Sequence, residues 1–307
     1  MNTLNSLKED LLKLGLRTGD TVFLRISYKA IGKVEGGPKT FLDAIVEVIG
    51  EEGTVLLTAF PKRYKNKLRF FHRKDAAEEN NRPPTFTGAL SSVGMKYPGS
   101  VMSARVDFPF VVIGKHADYL ASNHTYDKNG YWILEEAIDK FNCICLRVGG
   151  EPFIGTTHMS LSHVLQEKGE YQMAPRYGLY VKEKDGLKWR ENNNVIFCPT
   201  AFKNYLPEII NEIKISEGKV GEGYAIITDM KKSLKAEEEL FRKDLKKILC
   251  SSPDCCICRT TFSFSDSTKT KYLLRQFAKL FKGNTKGTLR KIRDTLDLHI
   301  LFSTRND

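Results

Sequence analysis

The chain has 307 residues, 41% of them hydrophobic, with a mean hydropathy of −0.34, enough apolar mass for a sizeable core in one large domain or two. No apolar run approaches the roughly eighteen residues of a membrane span, and the opening Met1-Asn2-Thr3-Leu4-Asn5-Ser6-Leu7-Lys8 lacks the basic and apolar regions of a signal peptide. The net charge of +11 is concentrated in two places: eleven Lys/Arg against four Asp between Arg259 and Asp307, a net of +7, and the stretch Lys62, Arg63, Lys65, Lys67, Arg69, Arg73 and Lys74. Leu4, Leu7, Leu11, Leu12 and Leu14 recur at helical spacing, and Gly15 ends that helix before Thr18-Gly19-Asp20 turns the chain. Thr21-Val22-Phe23-Leu24 reads as a short strand. Gly36-Gly37-Pro38 opens a second helix, with proline where a missing N–H costs nothing and Phe41, Ile45, Val46 and Ile49 on one face.

After Gly53, residues 54–58 read as a buried strand entering Ala59-Phe60-Pro61, and this strand, helix, strand order points to an α/β fold. Residues 62–84 show no periodicity and read as a long functional or mobile loop. Thr87 is expected to cap a helix through Val93 and Tyr97. Residues 110–114 and 143–148 read as strands, with a short helix around Ala117 to Ala121 and a longer one from Trp132 to Phe141 between them. Thr156-Thr157 is placed to cap a helix running to about Glu167. Residues 195–198 read as a strand, residues 202–213 as a helix, and residues 240–249 close the globular pattern. Beyond Cys250 the composition turns to Ser, Thr, Lys and Arg, so residues 1–250 are expected to form the main domain and 251–307 a basic C-terminal extension.

The segment from Gly19-Asp20-Thr21-Val22-Phe23-Leu24-Arg25-Ile26-Ser27 to Gly36-Gly37 is similar to the GDxVLVHSSLSSLGxVxGG opening of the aminoglycoside 3-N-acetyltransferase family. Gly50, Gly53-Thr54-Val55-Leu56 and Pro61 resemble its LGxxGTLVMPT. Thr87-Gly88-Ala89-Leu90, Pro98-Gly99 and Ser103 resemble its GALAExxRxxPGxxRS, and Gly218-Lys219-Val220-Gly221 its usual ending. The likeness runs over roughly residues 3 to 250. It implies an antibiotic N-acetyltransferase-like α/β core, a central sheet flanked by helices, that uses acetyl-CoA as cosubstrate. Ser27, Lys29, Gly36 and Gly37 are the implied contacts to its pantetheine and diphosphate, with Ser27 or Thr157 as oxyanion donors. The residues agree in kind: a strand, a polar turn and a Gly-Gly helix start offer backbone N–H groups to an anion, although an ordinary strand–turn–helix has the same look.

Departures from the family pattern sit around the expected chemistry. The family's HSS is Arg25-Ile26-Ser27, and the ground before the central helix carries Tyr131-Trp132 in place of small polar residues. The family's TSxHxxE stacks His and Glu on one helix face, the Glu charging an imidazole that takes the amine proton. Anchored on Thr156-Thr157, this chain has no His in the required place, and His158 falls one residue early. Slid along, Ser160-Leu161-Ser162-His163 supplies the imidazole, Gln166 replaces Glu, and Glu167 follows at i+4. His163 is the preferred base and His158 the alternative, with Glu167 as the supporting carboxylate. A catalytically silent descendant that binds CoA or a polysaccharide-assembly partner is the reading from another class.

Cys250, Cys255, Cys256 and Cys258 crowd nine positions with an adjacent pair and no second knuckle, so no metal is expected; Cys143 and Cys145 alternate on a strand and read as core. Seven cysteines without an export signal fit reduced thiols and a cytoplasmic location. The tail from Tyr272 to Lys282 has apolar residues at helical spacing among Arg and Lys, the composition of an interfacial helix. Packing on its own domain or on a partner subunit is the commoner outcome, and peripheral contact with an anionic membrane is the alternative. Nucleic acid is not expected, since no helix-turn-helix, RNP or finger pattern accompanies the charge. For the small-molecule acceptor, an amino sugar, the charge favours a phosphate-bearing nucleotide-linked or polysaccharide-precursor sugar over a polycationic aminoglycoside. Nothing in the sequence signals an oligomeric state.

Overall fold

The alternation of side chains along the strands decides the architecture. The computed structural model describes residues 1–61, 65–66, 76, 78, 85–150, 154–172, 177–192, 194–265, 269–280, 288–289 and 292. The basic stretch from Lys62 to Lys74, Lys65 apart, and most of the tail after residue 280 lie outside the described residues. In chain order the elements are α1 (Leu4–Leu14), β1 (Thr21–Ile26), α2 (Pro38–Ile49), β2 (Thr54–Thr58), β3 (Lys65–Asn66), α3 (Ala89–Gly94), β4 (Val101–Met102), β5 (Phe110–Gly114), α4 (Ala117–Asn123) and α5 (Trp132–Phe141). They continue with β6 (Ile144–Val148), α6 (Thr157–Glu167), β7 (Tyr177–Glu183), β8 (Gly186–Asn192), α7 (Phe202–Ile213), β9 (Lys214–Val220), β10 (Gly223–Asp229), α8 (Met230–Lys243), α9 (Cys256–Thr260) and α10 (Lys269–Leu280).

Seven strands form one sheet in the order β4-β5-β2-β1-β6-β10-β9, and β3, β7 and β8 form a second. At its centre β1 runs parallel to β2 and β6, while β5 and β10 pair antiparallel outside them. Val22, Leu24, Val55, Leu57, Val111, Ile113 and Leu146 point to the face packed by α1 and α2. Phe23, Leu56, Phe110, Val112 and Cys145 point to the opposite face, against α4 and α5. Each central strand is therefore apolar on both sides, as a sheet covered by helices requires.

A third apolar cluster gathers α6, α7 and α8 through Leu161, Val164, Phe202, Tyr205 and Phe241. It also contains Cys250, Cys258 and Phe262, so this core crosses residue 250, where composition alone placed the boundary. Helix α10 buries Tyr272 and Gln276 and leaves Leu274 and Phe277 exposed. Its Tyr272 hydroxyl donates to the Asp254 carbonyl, and Gln276 and Lys279 donate to the Asp254 carboxylate. Among the described residues no helix is long and apolar enough to cross a membrane.

Three local expectations are corrected. Residues 195–198 are irregular, not a strand: the Ile196 backbone pairs with the Gln172 side-chain amide, its N–H donating to Oε1 and its carbonyl accepting from Nε2, in place of a ladder. Thr87 does not cap α3: its hydroxyl donates to the Thr58 carbonyl, and Gly88 takes the cap position. Thr156 precedes α6 without a capping bond, because its hydroxyl is turned toward a carboxylate on α8.

Candidate active site

Two clefts flank the layer where β1, α5 and α6 meet. The first, about 360 Å³, opens at the carboxyl ends of β1, β2 and β6 and is lined by Arg25, Ser27, Thr58, Thr87, Gly149 and Gly150. In a sheet with parallel centre strands, this crevice between divergent connections is where ligands settle. Gly149 and Gly150 turn the chain away from β6 at φ 58° and 69°. A Cβ on Gly149 would lie 2.2 Å from that of Ala30, so the turn closes only on glycine. Ser27 introduces the 3₁₀ turn Tyr28–Ile31 without capping it. Lys29 is exposed within that turn, and Lys29, Gly36 and Gly37 are not among the residues lining this cleft. The Gly37 N–H donates to Val34 within its own turn, but an added Cβ at Gly37 meets nothing within 4 Å, so its backbone is open to an approaching ligand.

The second cleft, about 470 Å³, is lined by Asp107, Lys128, Glu135, Met159, His163 and Arg190, among others. Its wall is held by a buried ion pair, with Arg105 Nε donating to Asp107 at 3.0 Å and a second guanidinium nitrogen donating to the Lys128 carbonyl at 2.6 Å. Arg190 stacks 3.9 Å over the Tyr126 ring and donates to Glu183. Both charge signs therefore face the cavity.

His163 lies on the cleft-facing side of α6, one turn beyond Met159, as i and i+4 positions do. Its Nδ1 is 2.8 Å from Glu238 of α8 and its Nε2 is 3.2 Å from Glu135 of α5. Hydrogen bonds to Glu135 and then Glu238 outweigh partial burial and push the imidazole up to about 9. Glu167 is not brought to His163. It points along the outer face of α6 and takes the Arg242 guanidinium at 2.8 Å, the same arginine that reaches Glu238. The carboxylates around His163 come instead from α5 and α8, which sequence reading missed: Glu135 stands on the polar face of a recognised helix, and Glu238 sits in an acidic run that looks like solvated surface.

His158 is half-buried near the start of α6, stacked on Tyr131 at 5.4 Å between centroids and edge-on to Phe197 at 6.1 Å. Burial, then the nearby Arg25 charge, push it down to about 4, so it is neutral at neutral pH. It links the two clefts, since Arg25 lines the first and Tyr131 the second. Thr157 reaches neither cleft. Its hydroxyl donates to Glu237 at 2.6 Å, and Thr156, Ser160 and Tyr205 donate to the same carboxyl at 2.7, 2.8 and 2.9 Å. Glu237 is fully buried, burial raising its pKa while the hydroxyl donors hold it back. These side chains join α6, α7 and α8.

A family model described as aminoglycoside 3-N-acetyltransferase matches residues 23–242. Aminoglycoside N(3)-acetyltransferase VII of Streptomyces paromomycinus is 31% identical over 142 residues, 41% of this chain and 47% of its own length. The chain thus spans about half the length of the first curated relatives it matches. The SPbeta prophage-derived aminoglycoside N(3')-acetyltransferase-like protein YokD of Bacillus subtilis is 24% identical over 265 residues, 80% of this chain and 96% of YokD. The YokD crystal structure superposes with a TM-score of 0.66 at 22% identity, covering 80% of this chain and all of that one. AAC-IIIb in binary complex with CoASH superposes with a TM-score of 0.61 at 19% identity, covering 79% and 97%. Both share the fold.

Proposed function

This chain belongs to the aminoglycoside 3-N-acetyltransferase family, and we propose that it transfers an acetyl group from acetyl-CoA to an amine of an amino sugar. The observation that carries the reading is His163, held at the second cleft by a carboxylate on each ring nitrogen. Glu238 fixes Nδ1 and aims Nε2 toward Glu135 and the cavity. Glu135 receives the acceptor's ammonium, which gives one proton to solvent to become the attacking amine; Nε2, once neutral, takes the second proton as the amine nitrogen bonds to the acetyl carbon. The first cleft suits the donor: it is open at the strand ends, passes the Ser27 hydroxyl, and is floored by the Gly149-Gly150 turn. Acetyl-CoA supplies the thioester; its sulfur leaves with the bonding electrons. The AAC-IIIb complex with CoASH supports a donor site on this fold.

For the acceptor, the second cleft offers Lys128 and Arg190 to an anionic group beside the carboxylates that hold the amine, while Arg105 is committed to Asp107. That supports a nucleotide-linked or polysaccharide-precursor amino sugar first and an aminoglycoside, the substrate in its relatives' names, second. A silent CoA-binding descendant has its own observation. When the family motif is anchored on Thr156-Thr157, Met159 and Ser162 stand at the His and Glu positions, and both line the cleft. Release of CoA thiol on mixing acetyl-CoA with a panel of amino sugars tests the enzyme. Binding of acetyl-CoA without thiol release from any acceptor would support the silent reading.

A further inference from the structure

Four of the seven cysteines converge although they come from distant parts of the chain. Cys198 stands just before the 3₁₀ turn that leads into α7, while Cys250, Cys255 and Cys258 follow α8. Their four sulfurs lie within 4.8 Å of one another, with Cys198 and Cys255, 57 positions apart in sequence, at 3.5 Å. We propose that Cys198, Cys250, Cys255 and Cys258 bind a single structural zinc ion as a tetrathiolate.

The geometry and chemistry agree. Four Zn–S bonds of about 2.3 Å in a tetrahedron put sulfurs about 3.8 Å apart, so the cluster needs only small adjustments to close on a cation. The separation at Cys198 and Cys255 is far longer than the roughly 2.05 Å of a disulfide, and all seven cysteines are free. Cys255 and Cys258 provide the two-residue spacing of a zinc knuckle. The second pair is Cys198 and Cys250, which the sequence alone did not bring together. The Cys250 N–H donates to Cys258 Sγ at 3.2 Å, orienting a ligand sulfur as supporting backbone donors do in thiolate sites. Arg259 clasps this loop through the carbonyls of Ser252 and Cys250, setting a positive charge beside a site that four thiolates and one zinc leave at −2. Cys198, Cys250 and Cys258 are buried in the apolar cluster of α6, α7 and α8, where four soft thiolates select a zinc-type cation over magnesium or calcium. Cys256, adjacent in sequence to the knuckle, turns instead toward Thr260, 3.5 Å away, and is not one of the four.

The ion would staple two segments. Asn194 and Val195, just before Cys198, line the second cleft, and Phe197 packs against His158. On the other side, Asp254 within the cysteine loop anchors α10 through Tyr272, Gln276 and Lys279. One metal thus ties the cleft wall to the C-terminal helix.

The test is metal analysis of the full chain purified without chelator or a metal-affinity column. About one zinc per chain is expected. Cys198→Ala and Cys258→Ala should each lose it, and Cys256→Ala should keep it. Should the ligand variants fail to fold, an organomercurial titration of the wild type answers instead, zinc release tracking modification of about four thiols. Cobalt(II) exchanged into the wild type should give the intense visible bands of a tetrahedral thiolate site. Metal-free protein that takes up neither zinc nor cobalt would overturn the proposal. So would iron in zinc's place, fewer than seven thiols titrating in denaturant without reductant, or loss of metal in Cys256→Ala.

Discussion

In the proposed reaction His163 is the residue at which protonation and chemistry meet. Glu135 and Glu238 hold its pKa up at about 9, above the roughly 6.5 of a free imidazole, so at neutral pH the ring is mostly an imidazolium between two carboxylates. A base in that state works from its neutral fraction. The turnover per acceptor should therefore climb about tenfold per pH unit and level near pH 9, as read from kcat/KM profiles. His163→Gln should lower turnover by roughly 10²–10⁴ and flatten the profile, and Glu238→Gln should move the inflection to lower pH. A profile already flat above about pH 5 would transfer the role to His158, which is neutral there. Stability follows the same linkage. A pKa raised on folding gives stabilisation that is complete below about 6.5 and disappears as pH climbs through about 9. The stability gap between wild type and His163→Gln in urea melts should then be wider at pH 6 than at pH 10. It should stay modest, because the ring is partly exposed to solvent.

Among the elements, α6 is held by what its Thr-rich start meets on α7 and α8. Four hydroxyls converge on the Glu237 carboxyl, and Tyr205→Phe removes one donor from a fully buried group while keeping the ring in place. That loss should cost about 1–3 kcal/mol, measurable as a lowered urea midpoint with an unchanged m-value. Much of the framework was legible from period: α5 and α7 begin and end where the apolar spacing placed them, and the central strands show their apolar runs directly. The β7–β8 hairpin was missed although Leu179 and Val181 alternate on β7 and Asp185-Gly186 sits at its turn, because the alternation spans few residues and gives way to Lys and Glu at the turn. The β9–β10 hairpin was seen only as a family-like ending around Gly218. At the site, the motif singled out His163, but its carboxylates lie 28 and 75 positions away, too far for any local pattern to pair them. Cys198 was passed over for the same reason, as a lone thiol far from the others, and Gly149-Gly150 because a glycine pair after a strand is an ordinary turn signal.

At the scale of the whole molecule, the core that crosses residue 250 and the uneven charge each have a consequence. A chain ending at Leu249 loses Cys250, Cys258 and Phe262 from the cluster around α7 and α8. At about 1.5–3 kcal/mol for a large buried apolar side chain, such a truncation should melt well below the full chain, and a stable 1–249 fragment would count against the shared core. The net charge of +11 acts at longer range, on what reaches the clefts. A multiply protonated aminoglycoside is repelled by that field, whereas a nucleotide-diphosphate amino sugar is attracted and then meets Lys128 and Arg190 at the second cleft. The difference should be largest at low ionic strength, since screening shortens to about 10 Å at 0.1 M salt. The nucleotide-linked sugar should therefore show the higher kcat/KM, falling as salt is added, while the drug's value stays flat or rises slightly. Local charge competes with this field, because Asp107, Glu135 and Glu191 also line the cleft and attract amines at short range. If the aminoglycoside is the better substrate and its rate falls with salt, those carboxylates outweigh the global charge, and the acceptor preference reverses toward the antibiotic.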